Sequence, residues 1–147
     1  MSLLAPADQE KLRESFDEMT ANVRLLFFTQ ALGCETCLNT RQILDELPPL
    51  SDKIAVEEVN VVIDADTAKQ YGITRAPGIA LLGRDGEGAG HDSRIRFLGA
   101  PSGYEFISLV QAVLLVGGRP SSLSDGTRKR LAAVDKPVTM QVFTTPT

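Results

Sequence analysis

The 147-residue chain has only two cysteines, and they stand one helical turn apart in Gly33-Cys34-Glu35-Thr36-Cys37. A run of strand-forming residues, Val23-Arg24-Leu25-Leu26-Phe27-Phe28-Thr29, leads into them, and a helical pattern leads out through Leu47. A disulfide across so short a loop restrains the unfolded chain very little, so the pair makes a poor structural staple. Strand, loop, then C-x-x-C opening a helix is instead a setting in which two thiols do redox chemistry.

Composition narrows the alternatives. At 43% hydrophobic and 23% charged residues, one domain with a real apolar core is expected, with little chain left for a second. A formal net charge of −4 argues against a surface for nucleic acid. The local cluster Arg128-Lys129-Arg130 lies on a predicted helix and reads as a solvated face. No apolar run approaches the roughly 20 residues that span a bilayer, so no membrane partner is expected. Met1-Ser2-Leu3-Leu4 lacks the basic-then-apolar order of a leader. The expected compartment is the cytoplasm, where thiols are kept reduced and disulfides tend to be transient and catalytic.

Taken in order, Ala5-Pro6-Ala7-Asp8 reads as a helix start, and Leu12, Phe16 and Met19 give one apolar face over about residues 6–20. Val23–Thr29 shows no alternation, as a strand buried on both faces would not. Leu38, Ile43, Leu44 and Leu47 keep a helical period until Pro48-Pro49 stops it. Ile54–Val62 is a second strand, and Asp64 can cap a short helix that Gly72 ends. This spacing predicts a right-handed βαβ crossover with a parallel strand pair.

Gly78–Leu82 and Arg94–Leu98 then read as a hairpin around a glycine-rich turn from Gly83 to Ser93. Ser102-Gly103-Tyr104-Glu105 has the pattern of a capping box, opening a helix whose Phe106, Leu109, Val110 and Val113 face the sheet. A weaker helix over about Ser124–Ala133 and a strand-like run, Val138–Thr144, complete the chain. The expected sheet has four strands, with helices near 37–47 and 103–116 on one face and the other two helices elsewhere.

βαβ followed by ββα, with C-x-x-C at the first strand-to-helix junction, resembles the thioredoxin fold. Thr74-Arg75-Ala76-Pro77-Gly78 adds a proline at the start of the third strand. In that fold the proline is cis and faces the two cysteines, and an X-Pro bond is where a cis peptide is accessible. Arg75-Ala76-Pro77, Phe97-Leu98-Gly99-Ala100-Pro101-Ser102-Gly103-Tyr104-Glu105-Phe106 and Val142-Phe143-Thr144-Thr145-Pro146-Thr147 resemble the glutaredoxin-like protein disulfide oxidoreductases. Those chains hold two tandem thioredoxin-fold units.

The resemblance implies that residues 1–118 form one such unit with an added N-terminal helix. It implies that residues 119–147 are a connecting helix and the first strand of a second unit, whose own C-x-x-C would follow. It implies a thiol–disulfide oxidoreductase that needs no cofactor and acts on protein disulfides. A flavoprotein resembling thioredoxin reductase, or a peroxiredoxin, is the implied redox partner.

The implied catalytic residues are Cys34, which attacks, and Cys37, which resolves. Glu35, Thr36, Ala76, Pro77 and Gly78 are the implied substrate contacts, with the backbone beside Pro77 pairing to the substrate chain as an added strand. Three positions depart from the pattern. Glu35-Thr36 stands between the cysteines, no tryptophan precedes Cys34, and Phe28 occupies the place of a buried aspartate. Glu35 also opposes ionisation of Cys34, by a few tenths to about 1 kcal/mol or roughly 10–20 mV, so a reductase-like couple is expected.

Two other classes stay open at the level of sequence. A metal site needs further ligands beside the cysteines, and His91, in the glycine-rich turn, reads as a solvated side chain. No metal site within one chain is expected, although a metal or iron–sulfur cluster bridging two chains fits the same two cysteines. A catalytically weak docking or scaffold unit for a second, redox-active unit is the other reading.

Overall fold

The computed structural model describes residues 2–84 and 90–145. Its elements are α1 (Pro6–Asp17), β1 (Asn22–Thr29), α2 (Cys37–Asp45), a 3₁₀ turn (Pro48–Leu50), β2 (Ile54–Asn60) and α3 (Ala65–Gln70), followed by β3 (Gly78–Arg84), β4 (His91–Leu98), α4 (Tyr104–Val116) and α5 (Asp125–Ala132). One four-stranded sheet has the order β2-β1-β3-β4. β1 runs parallel to β2 and antiparallel to β3, and β3 runs antiparallel to β4. The crossover and hairpin expected from the sequence are both present.

β1 is central and buried on both faces, which is why its sequence does not alternate. Val23, Leu25 and Phe27 join Ile79 and Leu81 of β3 in a large cluster with Leu44 of α2 and Leu109 and Val113 of α4. Leu26 and Phe28 turn to the other face, with Ala80, Leu82, Val59 and Ala68 of α3. The expected placement of α1 is corrected here. Phe16, with Met19 just beyond the helix, packs in the same cluster as α2 and α4, because the end of α4 folds onto the link between α1 and β1. Thr20 and Ala21 donate their N–H groups to the Gly117 carbonyl at 2.9 and 3.1 Å. Gly118, at φ +105°, lies so close that an added Cβ would stand 2.1 Å from the Thr20 hydroxyl.

Several local expectations change. Leu38 is exposed rather than on the core face of α2, and Leu47 is buried from the tight turn that follows the helix. β2 stops at Asn60, because the Asn60 side chain accepts the N–H groups of Val62 and Ile63 at 2.9 and 3.1 Å and turns the chain. Asp64 stands at the N-cap of α3, but its side chain makes no capping bond. Ser102 does not cap α4 either; Gly103 takes that position, and the Ser102 carbonyl accepts the Glu105 N–H at 3.2 Å. β3 and β4 extend into the region read as a turn, and residues 85–89 of that region lie outside the described residues.

β4 carries a register shift opposite Ala80/Leu82, and Arg94 has φ 64°. Asp92 holds this bend, accepting Arg94 N–H at 2.8 Å and both Arg96 terminal nitrogens at 2.8 and 2.6 Å. The Arg96 hydrogen bond, working against desolvation, keeps the Asp92 carboxyl below its ordinary range. A carboxylate depressed on folding stabilises above its unfolded value of about 3.9, and that contribution fades as pH falls through the lower folded value. Asp92→Asn is therefore expected to lower the melting temperature at neutral pH, and the gap to the parent should narrow as the pH is lowered below the ordinary carboxylate range. A gap that does not change with pH would show that the Asp92 charge does not stabilise the fold.

The strand-like run at 138–144 forms no strand: residues 120–145 are exposed throughout, and 138–144 pair with no other strand. A strand needs a partner for its backbone groups, whatever its propensity. α5 buries none of its residues. Among the described residues, no helix is long and apolar enough to cross a membrane.

Candidate active site

β1 delivers the chain to the cysteine loop at the end of the sheet where β2 also ends, with Thr29 opposite Asn60. The loop is shaped by Gln30, whose side-chain amide donates to the Leu32 carbonyl at 2.8 Å. Gly33 then adopts φ +71°, a conformation that a side chain at this point would strain. Cys34 follows, half-buried, and Cys37 opens α2 with 7% exposure. The two form a disulfide, their Cα atoms 5.5 Å apart.

Thr36 sits at the N-cap without a side-chain capping bond, so the first-turn N–H groups of α2 are not taken by its hydroxyl. Its carbonyl accepts both the N–H and the hydroxyl of Thr40, each at 2.9 Å, and Thr40 is fully buried. Glu35 is exposed. The first turn is thus held from beneath by the Thr40 side chain and leaves its outer side open.

β3 begins at this same end. Gly78 pairs with Phe28 of β1 and Leu98 of β4. The Ala76–Pro77 peptide is cis, and the Pro77 carbonyl accepts the Gly99 N–H at 2.9 Å. Cys34 and Ala76 both pack against the cluster that contains Cys37. The structure therefore brings Cys34, Glu35, Thr36 and Cys37 to one end of the sheet with Ala76, Pro77 and Gly78. His91 is not among them. It starts β4, exposed, with its imidazole against Gly83. Among the described residues no three His, Cys, Asp or Glu side chains are placed to hold a metal ion. Phe28, at the place of a buried carboxylate, is fully buried on the α3 face, its ring 6.0 Å from that of Tyr71.

Sequence reasoning missed Gln30, Asn60 and Thr40, which shape the two loops and the first turn. The signals were present: an asparagine near the end of a strand-like run, and a threonine four residues beyond the N-cap position Thr36, where its hydroxyl can bond the i−4 carbonyl.

A central parallel strand pair, an added hairpin, a C-x-x-C disulfide at the start of α2 and a cis-proline at the adjoining strand define a thioredoxin fold. No family model matches the chain. Comparison with known proteins gives 31% identity over 78 residues with a probable thioredoxin of Methanothermobacter thermautotrophicus, covering 52% of this chain and 80% of that protein. The chain belongs to the thioredoxin family.

It is also 42% identical over 79 residues, 54% of its length, to an alkyl hydroperoxide reductase of Xanthomonas campestris pv. phaseoli, of which it spans only 12%. Among solved structures, the N-terminal domain of the alkyl hydroperoxide reductase AhpF from Enterococcus faecalis superimposes with a TM-score of 0.79 at 32% identity, over 90% of this chain and 62% of that one. A protein disulfide oxidoreductase from Aeropyrum pernix shares the fold, with a TM-score of 0.73 at 24% identity over 88% of this chain and 54% of that one.

Proposed function

We propose that this chain reduces protein disulfides, with Cys34 as the attacking thiolate and Cys37 as the resolving one. The observation that carries this assignment is the unequal burial of the two cysteines: Cys34 is half-exposed at the loop, whereas Cys37 lies within the core cluster. An incoming disulfide reaches Cys34 first, and the helix N-terminus favours its thiolate. Ala76 and Gly78, beside Pro77, are the backbone edge against which a substrate strand would align, and Glu35 and Thr36 flank the attacking sulfur.

The finer family assignment is a unit of the glutaredoxin-like protein disulfide oxidoreductases. On this reading residues 119–147 lead into a second unit of the same fold. The exposure of residues 120–145 supports it, as does the partial coverage of the AhpF N-terminal domain. A flavoprotein reductase or a peroxiredoxin is the proposed redox partner, and the cytoplasm the proposed compartment.

The test is covalent. The Cys37→Ser protein, reduced and then mixed with oxidised insulin, is expected to accumulate a mixed disulfide that dithiothreitol releases. Cys34→Ser should accumulate none. A mixed disulfide formed through Cys37 in the Cys34→Ser protein would overturn the assignment.

A further inference from the structure

Four stretches of chain meet around the Cys34–Cys37 disulfide, because β1, β2 and β4 all end where β3 begins. Two of them carry large apolar side chains that are mostly exposed. Leu32, in the loop before Cys34, is 86% exposed, and Val62 and Ile63, in the loop after β2, are 73% and 80% exposed. The two loops are joined at their base, where the Val61 N–H donates to the Thr29 carbonyl at 2.9 Å. Asn60 fixes the second loop through its bonds to Val62 and Ile63. Three exposed apolar side chains at the end of the sheet that carries the disulfide make a surface suited to another chain.

The charge at this end is uneven. Glu35 stands directly beside Cys34, exposed, with Asp64 and Asp66 exposed beyond Ile63. The one cation among residues 30–38, 60–66, 74–78 and 98–101 is Arg75, on the Pro77 side. Glu35 forms no ion pair or hydrogen bond through its side chain among the described residues. An anion at the reacting sulfur repels a substrate whose cysteine is flanked by carboxylates and attracts one flanked by a cation.

We propose that Glu35, together with the Leu32–Val62–Ile63 rim, selects protein disulfides whose cysteine lies in an extended segment between an apolar and a basic residue. This rests on the assignment of Cys34 as the attacking sulfur. In the selected reaction the Cys34 thiolate attacks one substrate sulfur. A Cys34–substrate S–S bond forms, and the other substrate sulfur leaves as a thiolate that takes a proton from water. The Cys37 thiolate, its proton given to water, then attacks the Cys34 sulfur, forming the Cys34–Cys37 disulfide. The first substrate sulfur leaves and is protonated, so two electrons pass to the substrate.

The probes are three symmetrical peptide dimers joined by one disulfide, with valine on one side of the cysteine. The other side carries lysine, glutamine or glutamate. The chain, reduced with dithiothreitol and freed of it, is mixed with each dimer, and the second-order rate constant of disulfide loss is measured. The lysine peptide should react about three- to tenfold faster than the glutamate peptide at low salt, with a smaller ratio near 1 M salt. In Glu35→Gln the ratio should fall towards one, and in Glu35→Lys it should invert. Ile63→Ser should slow all three peptides by a similar factor. Equal rates for the three peptides, or a ratio that Glu35→Gln leaves intact, would overturn the proposal while leaving disulfide reduction standing. No reaction with the glutamine peptide would instead overturn the assignment of the reaction.

Discussion

Cys34→Ser is expected to bring dithiothreitol-driven insulin reduction down to the uncatalysed rate, a loss of at least about a hundredfold. The serine hydroxyl is un-ionised near neutral pH, and no sulfur remains at the loop to carry the mixed disulfide. Cys37 cannot readily take over, because it is 7% exposed and lies in the core cluster with Leu44 and Phe27. The same substitution should change stability little, because the loop that the disulfide closes is so short. Insulin turbidity and a thermal melt of the oxidised and reduced forms, made on the same preparation, check both halves. A variant that keeps a tenth of parent activity would place the attacking sulfur elsewhere.

What is legible in the sequence follows from where physical constraints are local. The two cysteines, the helix that starts at Cys37 and the proline at the head of β3 are each set by a few neighbouring residues, and the structure places all of them as read. The strands are legible for a related reason. A run such as Leu25–Phe28, apolar without alternation, has few options besides a strand covered on both faces, and β1 is such a strand.

The misreadings fall where a local motif competes with tertiary contacts. Ser102 and Asp64 have good capping side chains, yet neither caps, because Gly103 enters α4 with φ 58° and Asn60 has already turned the chain before α3. The sequence alone puts α1 away from α2 and α4, since an apolar face on a helix does not say which face of the sheet receives it. The answer lies in the approach of Gly117 and Gly118 to Thr20. Val138–Thr144 is a different case, a run read as the first strand of a further unit. Its propensity is strand-like, but propensity supplies no partner, and it stays unpaired. The apolar rim at Leu32, Val62 and Ile63 is invisible in the sequence for the same reason. Hydrophobicity in sequence reads as core until the fold shows which side chains are left outside.

Phe27→Ala is expected to cost about 3–5 kcal/mol of stability, a large share of the roughly 5–15 kcal/mol of a typical domain. Phe27 sits in the central strand, 2% exposed, with β2 on one side and β3 on the other. Its backbone pairs with Glu58 and Ile79, and its ring belongs to the cluster that joins α1, α2 and α4 to the sheet. Truncation would leave a cavity enclosed by several elements, which cannot close by moving one of them. Because Cys37 shares that cluster, the loss should also loosen the first turn of α2. In a Cys34→Ser background, where Cys37 is a free thiol, Phe27→Ala should therefore make Cys37 react faster with a thiol reagent under native conditions. Urea unfolding gives the stability change, and Leu38→Ala, at an exposed position of the same helix, should stay within about 0.5 kcal/mol of the parent. A Phe27→Ala loss below about 1 kcal/mol would contradict the packing described for this cluster.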